Sequence, residues 1–286
     1  MDPELSRRYL HAMGVPVWRS READIDTPEP EEIPPPPEGV SQPATPDALH
    51  EEDGMIGESA KSAAVEPEPP GGGTEPPPQV APDVAPGDGV AGMDWERLSA
   101  TVASCRACEL CETRTQTVFG VGNRQADLMI IGEAPGADED RQGEPFVGRA
   151  GQLLNLMLAA IGLQREQVFI ANILKCRPPQ NRDPRPEEAF RCSPYLMRQI
   201  ALVRPRVLLS VGRISAQKLL ETDRPIGKLR GRWFVFGPDE TPLTVTYHPA
   251  YLLRSPDQKA KAWQDLIEVA HRLREAQENP GAEPPA

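Results

Sequence analysis

The stretch Leu128-Met129-Ile130-Ile131-Gly132 decides the fold, because four consecutive apolar residues lead directly into a glycine. A short, unbroken apolar run bounded by turn residues predicts a strand that is buried on both faces. Similar runs recur at 168–172 and 207–211, and helical patterns lie between the runs. Strands that alternate with helices predict an α/β fold of three layers, α/β/α, with a central, mostly parallel sheet.

The remaining elements follow from apolar periodicity and from helix-start signals such as Pro186. Helices are predicted at 152–161, 186–202, 214–220 and 259–274, and further strands at 232–236 and 243–247. In such sheets ligands bind where strand ends meet loops. The chemistry is therefore expected in the loops after Ile131, Ala171 and Tyr247.

The N-terminal third differs in composition from the rest of the chain. Of 34 prolines, 18 lie before residue 94, and this segment holds 19 acidic against 5 basic residues. The whole chain has a net charge of −12, so the part after this segment carries +2. A Pro- and Glu-rich segment buries too little apolar surface to offset the entropy of ordering. We predict a disordered linker over 23–92, a globular domain over 93–274 and a disordered tail over 275–286.

Residues 1–22 form a short apolar segment ahead of the linker. Leu5, Tyr9 and Met13 share one helical face, and Gly14 is a suitable helix stop. Two interpretations stay open: a helix that packs on the globular body, or a tethered peptide in residues 1–18 that binds a protein partner. The sequence does not identify the partner.

Several classes of protein are excluded by the sequence. No apolar run approaches the length of a membrane span, and the N-terminus lacks the apolar core of a secretory signal. Five cysteines do not make a secreted disulfide framework in a chain of 286 residues. We therefore expect a cytoplasmic protein that does not bind membranes. The acidic total does not exclude nucleic acid as a partner, because the field of the folded surface decides that interaction.

The cysteines are grouped in a way that indicates metal or cluster binding. Cys105, Cys108 and Cys111 form C-x2-C-x2-C, Cys176 follows a predicted strand, and Cys192 lies on the next predicted helix. Closely spaced thiolates can hold one metal ion or one edge of a cluster. Spacing alone does not separate zinc from an iron–sulfur cluster, nor does it select four ligands of the five.

Four polar or aromatic residues follow predicted strands or lie in the loops beside them. Glu133 lies in the Gly-rich loop at 132–140, Phe146 precedes a helix, Asn172 ends a strand and His248 follows another. A carboxylate can position water, a phenyl ring can stack on a flat ligand, and an amide can read a donor–acceptor edge. Together these positions predict one pocket.

The motifs resemble those of the family 4 uracil-DNA glycosylases, the iron–sulfur branch of that superfamily. The resemblance covers about 105–272 and rests on GEAPGADED at 132–140, PFVGRAGQLL at 145–154, NILKCRPPQNRDP at 172–184 and HPAYLLR at 248–254. It implies a monofunctional hydrolase of base excision repair. Such an enzyme flips uracil out of single- or double-stranded DNA, cleaves its N-glycosidic bond and leaves an abasic site. A monomer is expected.

The resemblance also implies a [4Fe–4S] cluster held by four of the cysteines: Cys105, Cys108, Cys176 and Cys192. Cys111 lies outside this set. The predicted uracil-binding residues are Gly132, Glu133, Ala134, Phe146, Asn172 and His248. His248 would face O2 of the base, where negative charge develops as the bond breaks.

The loops that would face DNA carry the predicted DNA-binding residues: Lys175, Arg177, Arg182, Arg185, Leu252 and Arg254. The five cations are predicted to contact phosphates. Leu252 is either an apolar wedge that fills the vacated base stack or an ordinary loop leucine.

The chain also departs from the best-known uracil glycosylases, which carry a water-orienting aspartate where Ala134 stands. Glu133 is the nearest carboxylate and Asn181 a second candidate, so the predicted catalytic residues are Glu133, His248 and Asn181. Glu139 is the candidate for the steric block against thymine. The missing aspartate keeps an alternative open, a non-catalytic iron–sulfur or zinc DNA-binding module.

Overall fold

The computed structural model describes residues 7, 10, 11, 14 and 87–278. The chain divides into two units, one of residues 1–18 with 84–286 and the other of residues 19–83. The second unit, and with it most of the predicted linker, lies outside the described residues. Among the helices that the structure describes, none is long and apolar enough to cross a membrane.

Six strands form one mixed sheet in the order β1-β3-β2-β4-β6-β5. They are β1 (Val121–Gly122), β2 (Leu128–Gly132), β3 (Phe169–Asn172), β4 (Val207–Val211), β5 (Trp233–Phe236) and β6 (Thr241–Thr246). The central strands β3, β2, β4 and β6 are parallel, and the edge strands β1 and β5 pair antiparallel. The prediction of an α/β fold with a mostly parallel sheet is confirmed.

Helices connect the strands and cover both faces of the sheet. Those in the described residues are α1 (Gly87–Val90), α2 (Trp95–Ala103), α3 (Leu110–Thr113), α4 (Ala137–Gln142), α5 (Arg149–Ala160), α6 (Pro186–Val203), α7 (Arg213–Leu219), α8 (Ile226–Leu229), α9 (Pro249–Arg254) and α10 (Lys259–Glu278). The four predicted helices correspond to α5, α6, α7 and α10. The other six helices, α1 to α4, α8 and α9, were not predicted; all but α2 have only four to six residues, which are too few to establish a helical period.

Alternate residues of β2 enter opposite layers of the core. Leu128 and Ile130 pack in the layer covered by α5 and α10, whereas Met129 and Ile131 pack in the layer covered by α6 and α7. Successive side chains of a strand point to opposite faces. A strand covered on both faces therefore needs an apolar residue at every position, which explains the unbroken run at 128–131.

The folded body extends beyond both predicted boundaries. Helix α10 continues to Glu278, because the residues after 274 favour a helix and the first proline comes at Pro280. At the other end, Val90 is buried in a small cluster with Leu98 and Tyr195, so the packed chain begins before Met93.

Leu10, in the predicted N-terminal segment, belongs to the core layer of α5 and α10 and is only 8% exposed. For this residue the structure has the packed arrangement that the first interpretation predicts. The other apolar residues of the segment lie outside the described residues, and partner binding by residues 1–18 stays a prediction.

Candidate functional site

The parallel register of β2 and β3 places Gly132 directly beside Asn172 at the carboxyl ends of the two strands. These strand ends, and the loop that follows β6, open onto a cavity of about 750 Å³. The predicted site residues that line it are Glu133, Ala134, Phe146, Asn172, Asn181 and His248. The structure thus brings the predicted catalytic and base-binding residues together, with Gly132 beneath the cavity rather than on its wall.

Position 132 requires glycine because of close approach rather than backbone torsion. A Cβ atom on Gly132 would lie 2.4 Å from Asn172 Oδ1 and 2.7 Å from Phe146 Cζ. Both distances are far inside van der Waals contact, so any larger residue would push the amide and the ring out of place. The missing side chain lets Asn172 and Phe146 close over the end of β2.

The side-chain oxygen of Asn172 is buried without a hydrogen-bond partner. Asn172 is 2% exposed, and among the described residues its Oδ1 is the one buried side-chain oxygen or nitrogen that lacks a partner. An unsatisfied buried acceptor costs about 1–3 kcal/mol. Because Asn172 also lines the cavity, this oxygen is an acceptor for a donor that a ligand would bring.

Phe146 has a strained backbone that its neighbours hold in place. Its φ of 54° lies in the left-handed region, which residues with a Cβ seldom adopt. The guanidinium of Arg165 donates to the carbonyl oxygen of Phe146 at 3.1 Å and to that of Pro145. Gly151 permits the same turn, since a Cβ there would lie 1.8 Å from the Phe146 carbonyl oxygen.

The carboxylate of Glu139 holds the loop from the other side. Oε1 accepts the backbone N–H groups of Val147 and Gly148 at 3.0 and 3.1 Å, and Oε2 accepts that of Gly136 at 3.1 Å. These bonds tie the Gly-rich loop to the Phe146 loop. Glu139 also lines the cavity, and its role as a steric block against thymine stays a prediction.

His248 is a neutral imidazole that is oriented as a donor. Its Nδ1 accepts the backbone N–H of Ala250 at 3.1 Å, which leaves the proton on Nε2. The pKa of His248 is lowered to about 4, mainly by burial and in smaller part by the charge of Arg254, while Glu139 opposes the shift. The ring stacks on Phe146 with centroids 5.5 Å apart and an interplanar angle of 30°.

The carboxyl group of Glu133 has a pKa close to neutral pH. The pKa of Glu133 is raised to about 7, mainly by burial and in smaller part by the charge of Asp183, while Arg213 opposes the shift. Arg213 Nη2 donates to Asp183 Oδ2 at 2.8 Å, and both residues line the cavity. Sequence reasoning missed this ion pair, although Asp183 lies within the quoted run at 172–184.

Asn181 also lines the cavity, but its side-chain oxygen already has a donor. Asn181 Oδ1 accepts from Arg177 Nε at 2.7 Å. Gln180 and Asn181 both have positive φ angles, of 56° and 54°. The loop is therefore held in an uncommon conformation, and Asn181 is less available than Glu133 to a water molecule.

The predicted phosphate-contacting arginines differ in exposure and in the carboxylates that they already bind. Arg254 is exposed beside the cavity, and Arg185 pairs weakly with exposed Glu109 at 3.4 Å. Arg182, in contrast, binds the buried carboxylate of Glu188 through two hydrogen bonds of 2.9 and 2.5 Å. Contact with a phosphate stays a prediction for these arginines.

Two of the predicted DNA-contacting residues are buried, and for them the prediction is wrong. Lys175 and Leu252 are each 1% exposed. The ammonium group of Lys175 is enclosed and donates to backbone and amide oxygens, and Leu252 packs in the core layer of α5 and α10. The exposed side chain on this part of α9 is Tyr251, which lines the cavity and packs on Tyr247 at 5.1 Å.

The four predicted ligands share one neighbourhood, and the sulfur atoms of three of them accept hydrogen bonds. Cys176 and Cys192 each interact electrostatically with Cys105, and Cys176 also does so with Cys108. The donors to sulfur are Arg114 Nη1 to Cys176 at 2.9 Å, the Lys175 N–H to Cys192 at 3.2 Å and the Tyr195 hydroxyl to Cys105 at 3.3 Å.

The chemistry of this donor set fits an iron–sulfur cluster. Burial raises the pKa of Cys176 to about 11 and that of Cys192 to about 12, so both are thiols unless a cationic centre stabilises the thiolate. In the described part of the chain, no group of three or more His, Cys, Asp or Glu side chains is arranged to hold a single metal ion. Four cysteines with N–H and O–H donors on sulfur are typical of cluster sites.

We expect Glu139→Ala to lower the free energy of unfolding by about 1–3 kcal/mol, because three backbone N–H groups lose their acceptor. Urea denaturation followed by circular dichroism measures the change. Glu144→Ala is the matched control: Glu144 is an exposed residue near the same loop, and its loss should change stability by less than about 0.5 kcal/mol. Equal stabilities for the two variants would contradict the role of Glu139 in tying the loops.

The sequence was compared with those of known families and proteins. The sequence model of the uracil DNA glycosylase superfamily matches residues 119–267. A type-4 uracil-DNA glycosylase from Archaeoglobus fulgidus is 44% identical over 174 residues, covering 59% of this chain and 87% of that protein. Those of Sulfurisphaera tokodaii and Thermotoga maritima are 43% and 42% identical, over 61% and 56% of this chain and 82% and 83% of the respective relatives.

Proposed function

This chain belongs to the uracil-DNA glycosylase superfamily, and on that premise we propose that it excises uracil from DNA by hydrolysing the N-glycosidic bond. The products are free uracil and an abasic site, which makes the protein a DNA-repair enzyme. The observation that carries the proposal is the buried, unpartnered Oδ1 of Asn172, a residue that lines the cavity. The alternative, a non-catalytic DNA-binding module, has no use for such an acceptor.

Asn172 is proposed to read the base. Its Oδ1 would accept N3–H of uracil, and its amide N–H₂ would donate to O4. Cytosine presents the reverse pattern, an acceptor at N3 and a donor at C4, so it would leave the buried amide unsatisfied. Phe146 would stack on the ring, and the strained loop fixes the plane on which the base rests.

His248 is proposed to stabilise the leaving base. As the bond between N1 and C1′ breaks, its electron pair moves to the uracil ring and negative charge grows on O2. The Nε2–H of a neutral imidazole donates a hydrogen bond to that oxygen. The donor is fixed before the reaction, because Nδ1 is already held by the Ala250 N–H.

Glu133 is proposed to stabilise the sugar and to activate the attacking water. The breaking bond leaves positive charge around C1′, and an ionised carboxylate stabilises that charge and takes a proton from the attacking water. Glu133 is a better candidate than Asn181, whose oxygen already binds Arg177. A carboxylate beside a cationic sugar and a donor beside an anionic base together stabilise the separated charges.

DNA would reach the pocket through the rim of the cavity. Arg254 is exposed there, and Arg185 is exposed on the loop ahead of α6; both suit phosphate contacts, which would make binding fall steeply with salt. The target nucleotide must leave the base stack to reach Asn172. The cavity of about 750 Å³ is large enough for a flipped base and part of its sugar.

Four cysteines, Cys105, Cys108, Cys176 and Cys192, are proposed to hold a [4Fe–4S] cluster. When bound, the cluster would supply iron–thiolate bonds that join these four residues. Those bonds would tie the end of the Asn172–Cys176 segment to α6, which carries Cys192. Its proposed role here is structural support of the loops beside the base pocket.

Uracil release from an oligonucleotide with one U·G pair tests the activity. We expect His248→Ala to slow single-turnover release about 10²–10³-fold, through loss of the donor at O2. Asn172→Ala should slow it about 10- to 100-fold through loss of the base contacts. Asn123→Ala, at an exposed position away from the cavity, is the control and should change the rate less than about twofold. DNA binding by the wild type without any uracil release would instead establish the binding module.

The rate should rise with pH and level off above about 7, because Glu133 acts in its ionised form and its pKa is about 7. Asp183→Asn removes the negative charge that raises this pKa, so the midpoint should move to lower pH. Because the pKa of His248 is about 4, its titration adds no second transition to the pH–rate profile above pH 5. The measurement is the pH profile of single-turnover uracil release, with Asp239→Asn as the control. An unchanged profile in Glu133→Gln would contradict the assignment.

Tyr251 should matter for duplex DNA more than for single strands. An aromatic side chain beside the pocket can fill the space left in the stack, and stacking on a base is worth about 1–3 kcal/mol. We expect Tyr251→Ala to lower kcat/KM about tenfold on a U·G duplex and less than threefold on the single strand. Tyr251→Phe should keep wild-type values. Equal losses on both substrates would show that Tyr251 does not act as a wedge.

A further inference from the structure

Lys175 is a fully enclosed ammonium group without a carboxylate partner. It is 1% exposed, and Nζ donates to the carbonyl oxygen of Asn172 at 2.9 Å and to Gln199 Oε1 at 2.6 Å. Both acceptors are neutral. Among the described residues no carboxylate forms an ion pair with it, and the nearest sulfur-bearing residues are Cys176, its neighbour along the chain, and Cys192, which accepts its backbone N–H.

A buried charge needs a compensating charge, because its removal from water costs several kcal/mol even after relaxation. Two neutral oxygens satisfy hydrogen bonds but do not cancel the charge. The groups that can do so here are the sulfur atoms of Cys176 and Cys192, which are negative when they ligate iron. The backbone N–H of Lys175 itself donates to Cys192 Sγ at 3.2 Å.

The same lysine also reaches the base-reading end of its segment. Asn172 and Cys176 are four residues apart, and between them the N–H groups of Ile173 and Leu174 donate to the carbonyl oxygens of Gly132 and Glu133, both at 3.0 Å. Nζ of Lys175 closes this segment on itself at the Asn172 carbonyl. The backbone of Asn172 is thus fixed by the residue next to a cluster ligand.

The far side of the lysine is held equally firmly. Gln199, which is 0% exposed, accepts from Lys175 Nζ and donates through Nε2 to the carbonyl oxygen of Phe119 at 2.9 Å. The carbonyl oxygen of Lys175 accepts the Val118 N–H at 2.8 Å. A buried polar network with every member satisfied specifies a single arrangement of its groups.

We propose that Lys175 is the buried countercharge of the iron–sulfur cluster and the positioning residue that couples the cluster to uracil recognition by Asn172. The inference rests on the proposed function and its cluster. In this proposal the lysine has two separable effects. Its charge stabilises the negative unit of cluster and thiolates, and its hydrogen bond to the Asn172 carbonyl holds the side-chain amide of Asn172 in position to read the base.

The test compares the anaerobically purified wild type with Lys175→Met, which keeps the length of the side chain and removes its charge. The first readout is the midpoint potential of the cluster by voltammetry. Reduction adds negative charge, so loss of a nearby cation should lower the equilibrium constant for reduction at least tenfold, a shift of about −59 mV for one electron. Lys218→Met removes an exposed lysine and should leave the potential unchanged.

The second readout is the dissociation constant of free uracil by calorimetry, which does not depend on turnover. We expect it to rise about tenfold in Lys175→Met and to stay within twofold in Lys218→Met. An unchanged potential would overturn the countercharge role, and unchanged uracil binding would overturn the coupling to Asn172.

A third variant covers the case in which Lys175→Met does not retain its cluster. Lys175→Arg keeps the positive charge, so it should hold iron and sulfide at wild-type content where the Met variant loses them. Equal loss in both variants would overturn the proposal, because charge would not be the property that matters. A wild type without iron would overturn it as well. If the potential differs between the wild type and Lys175→Met but the wild type releases no uracil, the result contradicts the proposed function and leaves the countercharge role in place.

Discussion

The register that places Gly132 next to Asn172 is the constraint on which the site depends. Parallel pairing of β2 and β3 brings both strand ends to one edge of the sheet, and the missing Cβ of Gly132 lets the amide of Asn172 and the ring of Phe146 close together. The result is a buried oxygen that no donor of the described residues satisfies. A ligand that brings an N–H donor satisfies this oxygen, whereas one that brings an acceptor leaves it unsatisfied at a cost of about 1–3 kcal/mol, so the oxygen is a source of selectivity.

The remaining groups of the pocket are fixed before any ligand arrives. Glu139 and Arg165 hold the strained Phe146 loop from two sides, and the Ala250 N–H sets the tautomer of His248. In the proposed mechanism, the charges that develop during the reaction would meet donors and acceptors that need no reorganisation. Glu133 is the proposed replacement for the aspartate that the sequence lacks at position 134.

Much of this arrangement follows from sequence, and the failures have physical causes. The unbroken apolar run at 128–131 was sufficient to predict a strand buried on both faces, and strand ends indicated where Asn172 and His248 meet. Lys175 and Leu252 were misplaced, because a short loop or a six-residue helix has no period that separates inward from outward positions. The ion pair of Asp183 with Arg213 was missed, because its partners are thirty residues apart and meet only in the fold.

A crystal structure of the protein with uracil bound would show whether the pocket reads the base as proposed. We expect the base stacked on Phe146, with N3 about 3 Å from Asn172 Oδ1 and O2 facing Nε2 of His248. We also expect Asn172 to keep its position, since the pocket is formed in advance. Uracil bound elsewhere, or Asn172 Oδ1 turned away to a protein donor or left without a bond to the base, would contradict this proposal.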